Sequence, residues 1–225
     1  MGKLAVVGFL IVILVLAEII SLLQLRSSLT SNAAYWRQLS AQPGELTYVA
    51  LGDSAAQGIG ASRPANGYVG LLADRIVTKT GKTVRVVNLS VSGAKIQDVI
   101  NKQIPQLAQY RPDFVTIEIG ANDMISFDAQ KFKGSFEQLV PLLPANTVVS
   151  NMPNFGGRIH RVDAVLAANK IVAAVAKTRN FPVADLYIHT KLHDSLFNYA
   201  ADFFHPNNRG YRNWADAFWA RLPRV

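Results

Sequence analysis

The sequence predicts one α/β domain, with a parallel sheet covered by helices on both faces, preceded by a single membrane-spanning helix. From Leu46 onward, short and nearly continuous apolar segments alternate with longer segments of helical periodicity. Buried strands that alternate with helices are typical of a parallel sheet. Ahead of them lies one long apolar segment, and a chain of 225 residues has room for little beyond one such domain.

Composition excludes several kinds of site. The chain has no cysteine, which excludes disulfide scaffolds, thiol nucleophiles and cysteine-ligated zinc. A formal net charge of +8 would favour anionic surfaces such as acidic lipid headgroups, and nucleic acid in principle. The Lys and Arg residues are scattered, however, and the sequence has none of the known nucleic-acid-binding signatures. We therefore expect no nucleic-acid partner.

The apolar segment near the N-terminus spans 22 residues, Leu4 to Leu25, and Glu18 is its one charged residue. As a helix it would be about 33 Å long, enough to cross the hydrocarbon core of a membrane. The alternative is a cleaved secretory signal, because Lys3 and the uncharged run that follows also resemble one. The nearest small-x-small cleavage site, Ser31-Asn32-Ala33, lies well past the apolar run. This spacing favours an uncleaved anchor.

The charges that flank the apolar segment predict the orientation of the chain across the membrane. A short positive N-terminal region usually stays in the cytoplasm, so we expect a single-pass protein of the cell membrane with the domain outside the cytoplasm. Residues 1–25 form the anchor, residues 26–45 a stalk, and residues 46–225 the domain. In the stalk, Tyr35-Trp36 either sits at the level of the lipid headgroups or packs against the domain.

Five strands and five helices are predicted in the domain. The strands are Leu46–Leu51, Val84–Leu89, Phe114–Ile119, Thr147–Ser150 and Pro182–Leu186. The helices are Val69–Lys79, Ile96–Gln109 with a kink at Pro105, Ala129–Leu143, Val162–Thr178 and Asn208–Leu222.

Polar groups follow four of these strands. They are Gly52-Asp53-Ser54 after the first strand, Asn88 to Gly93 after the second, Gly120 to Asp123 after the third and Asp202 to Asn207 after the fifth. The carboxyl ends of parallel strands lie at one edge of a sheet, so residues over a hundred positions apart are expected to meet there.

These residue types suit a serine acyl hydrolase. The hydroxyl of Ser54 is a poor nucleophile unless a base lies within hydrogen-bond reach, and His205 is the best candidate. Asp202 is close enough in sequence to orient the imidazole and to stabilise its charged form. Asp53 and Asp123 adjoin strand-to-helix turns, so they are interpreted as turn and capping residues that brace the site.

Together the four blocks, in this order, resemble those of the SGNH hydrolases, also called the GDSL esterase/lipase family. The resemblance covers the chain from about Leu46 to the C-terminus. It implies a flavodoxin-like α/β/α sandwich with a five-stranded parallel sheet, and acyl-ester hydrolysis without a metal or cofactor. It also implies an oxyanion hole formed by the backbone N–H groups of Ser54 and Gly93 and the side-chain amide of Asn122. One departure is Ala55-Ala56, where leucine often follows the serine.

The expected substrate is therefore a small-molecule, lipid or glycan acyl ester. Two alternatives use the same residues: an acyltransferase that delivers the acyl group to a sugar or lipid alcohol, and a cell-wall carbohydrate O-deacetylase. A third alternative is a tethered binding module without catalysis. His160, beside Arg158 and Arg161, is either part of the substrate cleft or an ordinary exposed histidine.

Overall fold

The computed structural model describes residues 3–155 and 161–223. Its centre is a five-stranded, wholly parallel sheet of order β2-β1-β3-β4-β5, the order found in flavodoxin-like folds. The strands are β1 Leu46–Gly52, β2 Val84–Asn88, β3 Phe114–Glu118, β4 Thr147–Ser150 and β5 Val183–Ala184. The predicted α/β/α sandwich is thereby confirmed. His160 and Arg158 lie outside the described residues.

Eight α-helices are described around the sheet, with short 3₁₀ segments between some of them. They are α1 Lys3–Ser40, α2 Tyr68–Thr80, α3 Ile96–Asp98, α4 Ile104–Leu107, α5 Ala129–Leu139, α6 Val162–Lys177, α7 Leu186–Leu192 and α8 Asn208–Trp219.

Alternation along β1 shows how the two faces are covered. Val49 and Leu51 point into a core shared with α3, α4, α5 and α6. Tyr48 and Ala50 point into a second core shared with α2, α8 and the C-terminal part of α1. All four side chains are fully buried, as expected for a central strand covered on both sides.

The predicted helix Ile96–Gln109 is interrupted. A π-helical turn, Val99–Gln103, separates α3 from α4, and Pro105 lies in the first turn of α4. Proline has no N–H to continue the regular ladder, so the interruption falls close to the predicted kink.

The fifth predicted strand is shorter than expected, because its last residues begin a helix. The side chain of Asp185 accepts a hydrogen bond from the N–H of Ile188, which makes Asp185 the N-cap of α7. Leu186 is consequently the first residue of a helix that the apolar pattern did not predict.

Helix α1 continues without a break through most of the segment predicted as a stalk. Trp36 is only 2 % exposed and packs in the second core, so the structure shows packing against the domain. The N-terminal part of α1, from Val6, is long and apolar enough to cross a membrane, and its most apolar stretch is not buried by any other part of the described chain.

Candidate active site

The turn after β1 requires glycine at its first position. Gly52 has a φ of 145°, and a Cβ placed there would lie 2.2 Å from the carbonyl oxygen of Glu118, so any side chain would clash. The buried amide of Gln103 holds this glycine from both sides. It accepts a hydrogen bond from the N–H of Gly52 at 2.9 Å and donates one to its carbonyl at 2.8 Å. This role of Gln103 was not predicted from the sequence.

This turn presents the hydroxyl of Ser54 to a histidine from the far end of the chain. Ser54 is buried, and its carbonyl oxygen accepts a hydrogen bond from the N–H of Ile59. Its Oγ lies 2.9 Å from Nε2 of His205, a normal hydrogen-bond distance. The predicted meeting of the two groups at the carboxyl edge of the sheet is what the structure shows.

The other imidazole nitrogen faces a carboxylate. Nδ1 of His205 lies 2.5 Å from Oδ2 of Asp202. The other carboxylate oxygen accepts hydrogen bonds from the backbone N–H groups of Phe204 and His205. Burial acts to raise the pKa of Asp202, but the hydrogen bonds and the neighbouring imidazole outweigh it and hold the pKa below its ordinary value. Asp202 therefore stays ionised at neutral pH.

The backbone between these residues is tightly turned. Phe203 has a φ of 54°, a left-handed conformation that is uncommon for a bulky residue. The aromatic ring of Phe204 packs edge-on against the His205 imidazole at 5.2 Å between centroids. The carboxylate, the imidazole and this ring therefore hold one another in place.

Three N–H groups are candidates to bind an oxyanion. Within the described residues, the backbone N–H groups of Ser54 and Gly93 donate to no protein acceptor. The amide of Asn122 lies between them, but both of its hydrogens are engaged, with Asp53 and with the carbonyl of Ala94, each at 3.0 Å. Gly93 has a φ of 81° and open space at its Cβ position, so its backbone conformation is the feature that favours glycine.

The two predicted bracing aspartates do brace the site. Oδ1 of Asp53 accepts the N–H of Ala55 at 3.0 Å, while Oδ2 accepts the amide of Asn122. Oδ2 of Asp123 accepts the N–H of Ile96, the first residue of α3. Asp53 therefore joins the nucleophile turn to the Asn122 turn.

A buried carboxyl group behind this pair was not predicted. Glu118 is fully buried at the end of β3, and neither of its oxygens accepts a hydrogen bond from a donor in the described chain. Its carboxyl group lies near enough to that of Asp53 for each group to affect the pKa of the other. Burial and the charge of Asp53 raise the pKa of Glu118 well above its ordinary value. The group thus carries a proton at neutral pH. An acidic residue in an otherwise apolar strand was the available signal.

Glu118→Gln should leave the fold unchanged and should alter the free energy of unfolding little near pH 4, because the glutamine side chain is neutral like the protonated carboxyl group. At neutral pH the variant should be more stable than the wild type. In the wild type, the unfolded carboxyl group ionises near pH 4.3 while the folded one keeps its proton. The free energy of unfolding therefore falls as pH rises above that value, by up to about 1.4 kcal/mol per pH unit.

Urea unfolding at pH 5, 7 and 9 measures this difference. The Glu118→Gln variant should lose less stability than the wild type between pH 5 and pH 9. If the free energies of unfolding of the two proteins change with pH in parallel, Glu118 is not protonated in the folded state. Glu137→Gln is the control, because Glu137 forms an exposed ion pair with Lys133.

A small cavity beside Ser54 and His205 is lined mostly by apolar side chains. They include Phe155, Phe204 and Trp214. Such a lining lowers the local dielectric and strengthens the hydrogen bonds of the site. Among the described residues, no group of three or more His, Cys, Asp or Glu side chains is placed to hold a metal ion.

Sequence comparison places the chain in a family. The family model described as the GDSL-like Lipase/Acylhydrolase family matches residues 50–212, a range that contains all the site residues above. The chain belongs to this family. Proteins that resemble it include the esterase TesA of Pseudomonas aeruginosa, which is 29% identical over 165 residues, covering 70% of this chain and 80% of TesA.

Solved structures of other esterases share the fold. An acetyl xylan esterase, AlAXEase, is 20% identical with a TM-score of 0.65, covering 79% of this chain and 100% of that one. The psychrotrophic esterase EstA from Pseudoalteromonas sp., inhibited by monoethylphosphonate, is 24% identical with a TM-score of 0.61, covering 79% of this chain and 97% of that one. The chain is accordingly a carboxylic ester hydrolase of the GDSL family.

Proposed function

We propose that the chain hydrolyses acyl esters through a triad of Ser54, His205 and Asp202. The observation that carries the proposal is the pair of contacts on one imidazole, 2.9 Å from Nε2 to the Ser54 hydroxyl and 2.5 Å from Nδ1 to the Asp202 carboxylate. In this arrangement the histidine can accept the serine proton while the carboxylate stabilises the resulting imidazolium.

The reaction proceeds in two halves. Oγ of Ser54 bonds to the acyl carbon as its proton passes to Nε2 of His205, and the carbonyl electrons move onto the oxygen. Collapse of this intermediate expels the alcohol, which takes the proton from His205. A water molecule then attacks the acyl-serine, His205 accepts its proton, and the carboxylic acid leaves while Ser54 recovers its hydrogen.

The developing oxyanion is bound by the N–H groups of Ser54 and Gly93 and by the Asn122 amide. The two backbone groups are free to donate. The amide must release one of its two present acceptors, Asp53 or the carbonyl of Ala94. Hydrogen bonds of this kind each contribute about 10²- to 10³-fold in rate.

Two features support lipid and carbohydrate esters as substrates. The relatives include an esterase and an acetyl xylan esterase, and the lining beside Ser54 is apolar. An acyltransferase would use the same triad but pass the acyl group to an added alcohol, and a carbohydrate O-deacetylase would release acetate from cell-wall polymer. Product analysis with an added acceptor, and with isolated wall material, separates these reactions.

We also propose that α1 is retained as a single-pass anchor that holds the domain outside the cytoplasm. Asn32, in the middle of the nearest small-x-small site, is buried and donates to the carbonyl of Gln57. Cleavage after Ala33 would cut a continuous helix at its contact with the domain. The anchor is therefore part of the folded unit, and the weakly positive N-terminus favours an extracytoplasmic domain.

A fluorophosphonate probe tests the identity of the nucleophile. A serine activated by His205 attacks the phosphorus and displaces fluoride, which leaves a stable adduct. We expect the adduct on Ser54 alone, mapped by mass spectrometry of tryptic peptides, with protection by an added ester. Adducts on another serine, or none on the folded protein, would contradict the proposed triad.

A further inference from the structure

Helix α1 runs along the edge of the sheet with its apolar end toward the carboxyl ends of the strands. The carbonyl of Ser40 accepts a hydrogen bond from the side chain of Arg85, the second residue of β2. Eight residues earlier, Asn32 donates to the carbonyl of Gln57, which follows the carboxyl end of β1. Continued in this direction, the helix projects beyond the sheet edge that carries Ser54.

This packing fixes the anchor relative to the nucleophile turn. The Gln57 carbonyl accepts hydrogen bonds from both Asn32 and the Trp36 indole, at 3.1 and 3.0 Å. The side chain of Gln57 in turn donates to the carbonyl of Ser90 and accepts from the hydroxyl of Ser92. Because α1 is one unbroken helix, its apolar part cannot swing independently of the active site.

The spacing along α1 places this edge close to the bilayer. Leu25, the last residue of the apolar run, precedes Asn32 by seven residues, or about 10 Å of helix. The headgroup layer of one leaflet is about 6 Å thick. The nucleophile turn therefore lies only a few ångströms above the headgroups when the apolar run fills the membrane.

A polar groove lies at this level between α1 and the domain. It has a volume of about 690 Å³ and is lined by seven residues of α1 between Ser21 and Asn32, by Gly60 to Pro64 and by Ala200 and Ala201. Serine hydroxyls, amides and the guanidinium of Arg63 suit a charged lipid headgroup. Gly60 also packs against His205, since a Cβ at Gly60 would lie 2.9 Å from the His205 Cβ.

Large apolar side chains are exposed just before the loop that carries Asp202 and His205. Leu192, Leu196 and Phe197 are 75%, 65% and 79% exposed. The same segment continues into Ala200 and Ala201, which face α1 across the groove. Exposed apolar side chains in a segment that leads into a polar groove are suited to insertion into a lipid surface.

We propose that the active-site edge of the sheet faces the bilayer and that the substrate is an acyl ester of a membrane lipid. The groove binds headgroups, while Leu196 and Phe197 contact the acyl-chain region. This assignment of the substrate rests on the proposed esterase function, but the orientation of the domain does not depend on it.

The orientation is tested without any measurement of activity. Because the chain has no cysteine, Phe197→Cys provides one site for an environment-sensitive fluorophore in the full-length protein. In vesicles of phosphatidylcholine and phosphatidylglycerol, brominated acyl chains should quench this label strongly. Val77→Cys is the matched control, because Val77 is exposed near the end of α2 that faces away from the active-site edge. Equal quenching at the two sites would overturn the orientation.

The substrate class is tested with a Leu196→Ser/Phe197→Ser double variant. Hydrolysis of a fluorogenic ester lipid in the vesicles should fall by about tenfold or more, because the variant loses apolar contact with the bilayer. Hydrolysis of soluble p-nitrophenyl butyrate should be unchanged. Val77→Ser serves as the control and should match the wild type on both substrates.

The possible failures are distinguishable. If the wild type cleaves the soluble ester or acetylated xylan but not the vesicle lipid, the lipid assignment is wrong and the esterase function stands. If the double variant loses both activities equally, or neither, the apolar segment does not act at the membrane. If no ester is cleaved and Ser54 takes no fluorophosphonate, the proposed function fails and the lipid assignment fails with it.

Discussion

A Ser54→Ala variant should lose ester hydrolysis by about 10⁴- to 10⁶-fold, the range seen when the nucleophile of a serine hydrolase is removed. The alanine methyl group cannot form the acyl intermediate, and His205 is left without the proton it accepts. Because only one hydrogen bond is lost, the free energy of unfolding should change by about 1 kcal/mol. Steady-state hydrolysis of p-nitrophenyl butyrate and urea unfolding measure the two effects.

Ser126→Ala is the matched control for this prediction. Ser126 is exposed and lies four residues after Asn122, so its removal should leave turnover near the wild-type value. Turnover retained by a folded Ser54→Ala variant would mean that a different group attacks the ester.

Asp202→Asn should lower kcat by about 10⁴-fold with little change in KM. Asparagine keeps the shape of the side chain, but it is uncharged and cannot stabilise the imidazolium form of His205. Its amide can also favour the wrong tautomer by donating to Nδ1. Stopped assays over a range of ester concentrations separate kcat from KM.

The Asp202→Asn substitution should also change how the free energy of unfolding depends on pH. The hydrogen bonds of Asp202 hold its pKa below the unfolded value, so its contribution is present above about pH 4 and is lost as the pH falls. Asp202→Asn should therefore remove part of the acid sensitivity of unfolding. Asp216→Asn, which breaks an exposed ion pair with Arg75, is the control and should keep its activity. A loss of kcat below tenfold in Asp202→Asn would contradict the triad.

The parts of the site that could be predicted share one property: each lies beyond the carboxyl end of an apolar strand, although α7 intervenes between β5 and Asp202. A parallel sheet brings all such turns to one edge, so the meeting of Ser54 with His205 followed from the order of strands and helices. Composition also favoured the five strands, because runs such as Phe114–Ile119 are apolar nearly throughout.

The parts that could not be predicted depend on tertiary contacts. Leu186 is apolar in either a strand or a helix, and the cap from Asp185 decides between them. The Ser- and Gln-rich segment after Leu25 gave no sign that Trp36 packs in the core. The role of Gln103 required knowledge of its distance to Gly52, which only the folded chain provides.

The placement of the acid and the base on one short loop affects how the enzyme loses activity. Asp202 and His205 are three residues apart, and His205 is separated by 151 residues from Ser54. The triad is therefore complete once the loop that carries Asp202 and His205 packs against the turn that carries Ser54. Fraying of the C-terminal region that holds this loop would inactivate the enzyme while most of the sheet stays intact, so thermal inactivation should begin before the cooperative melting of the domain.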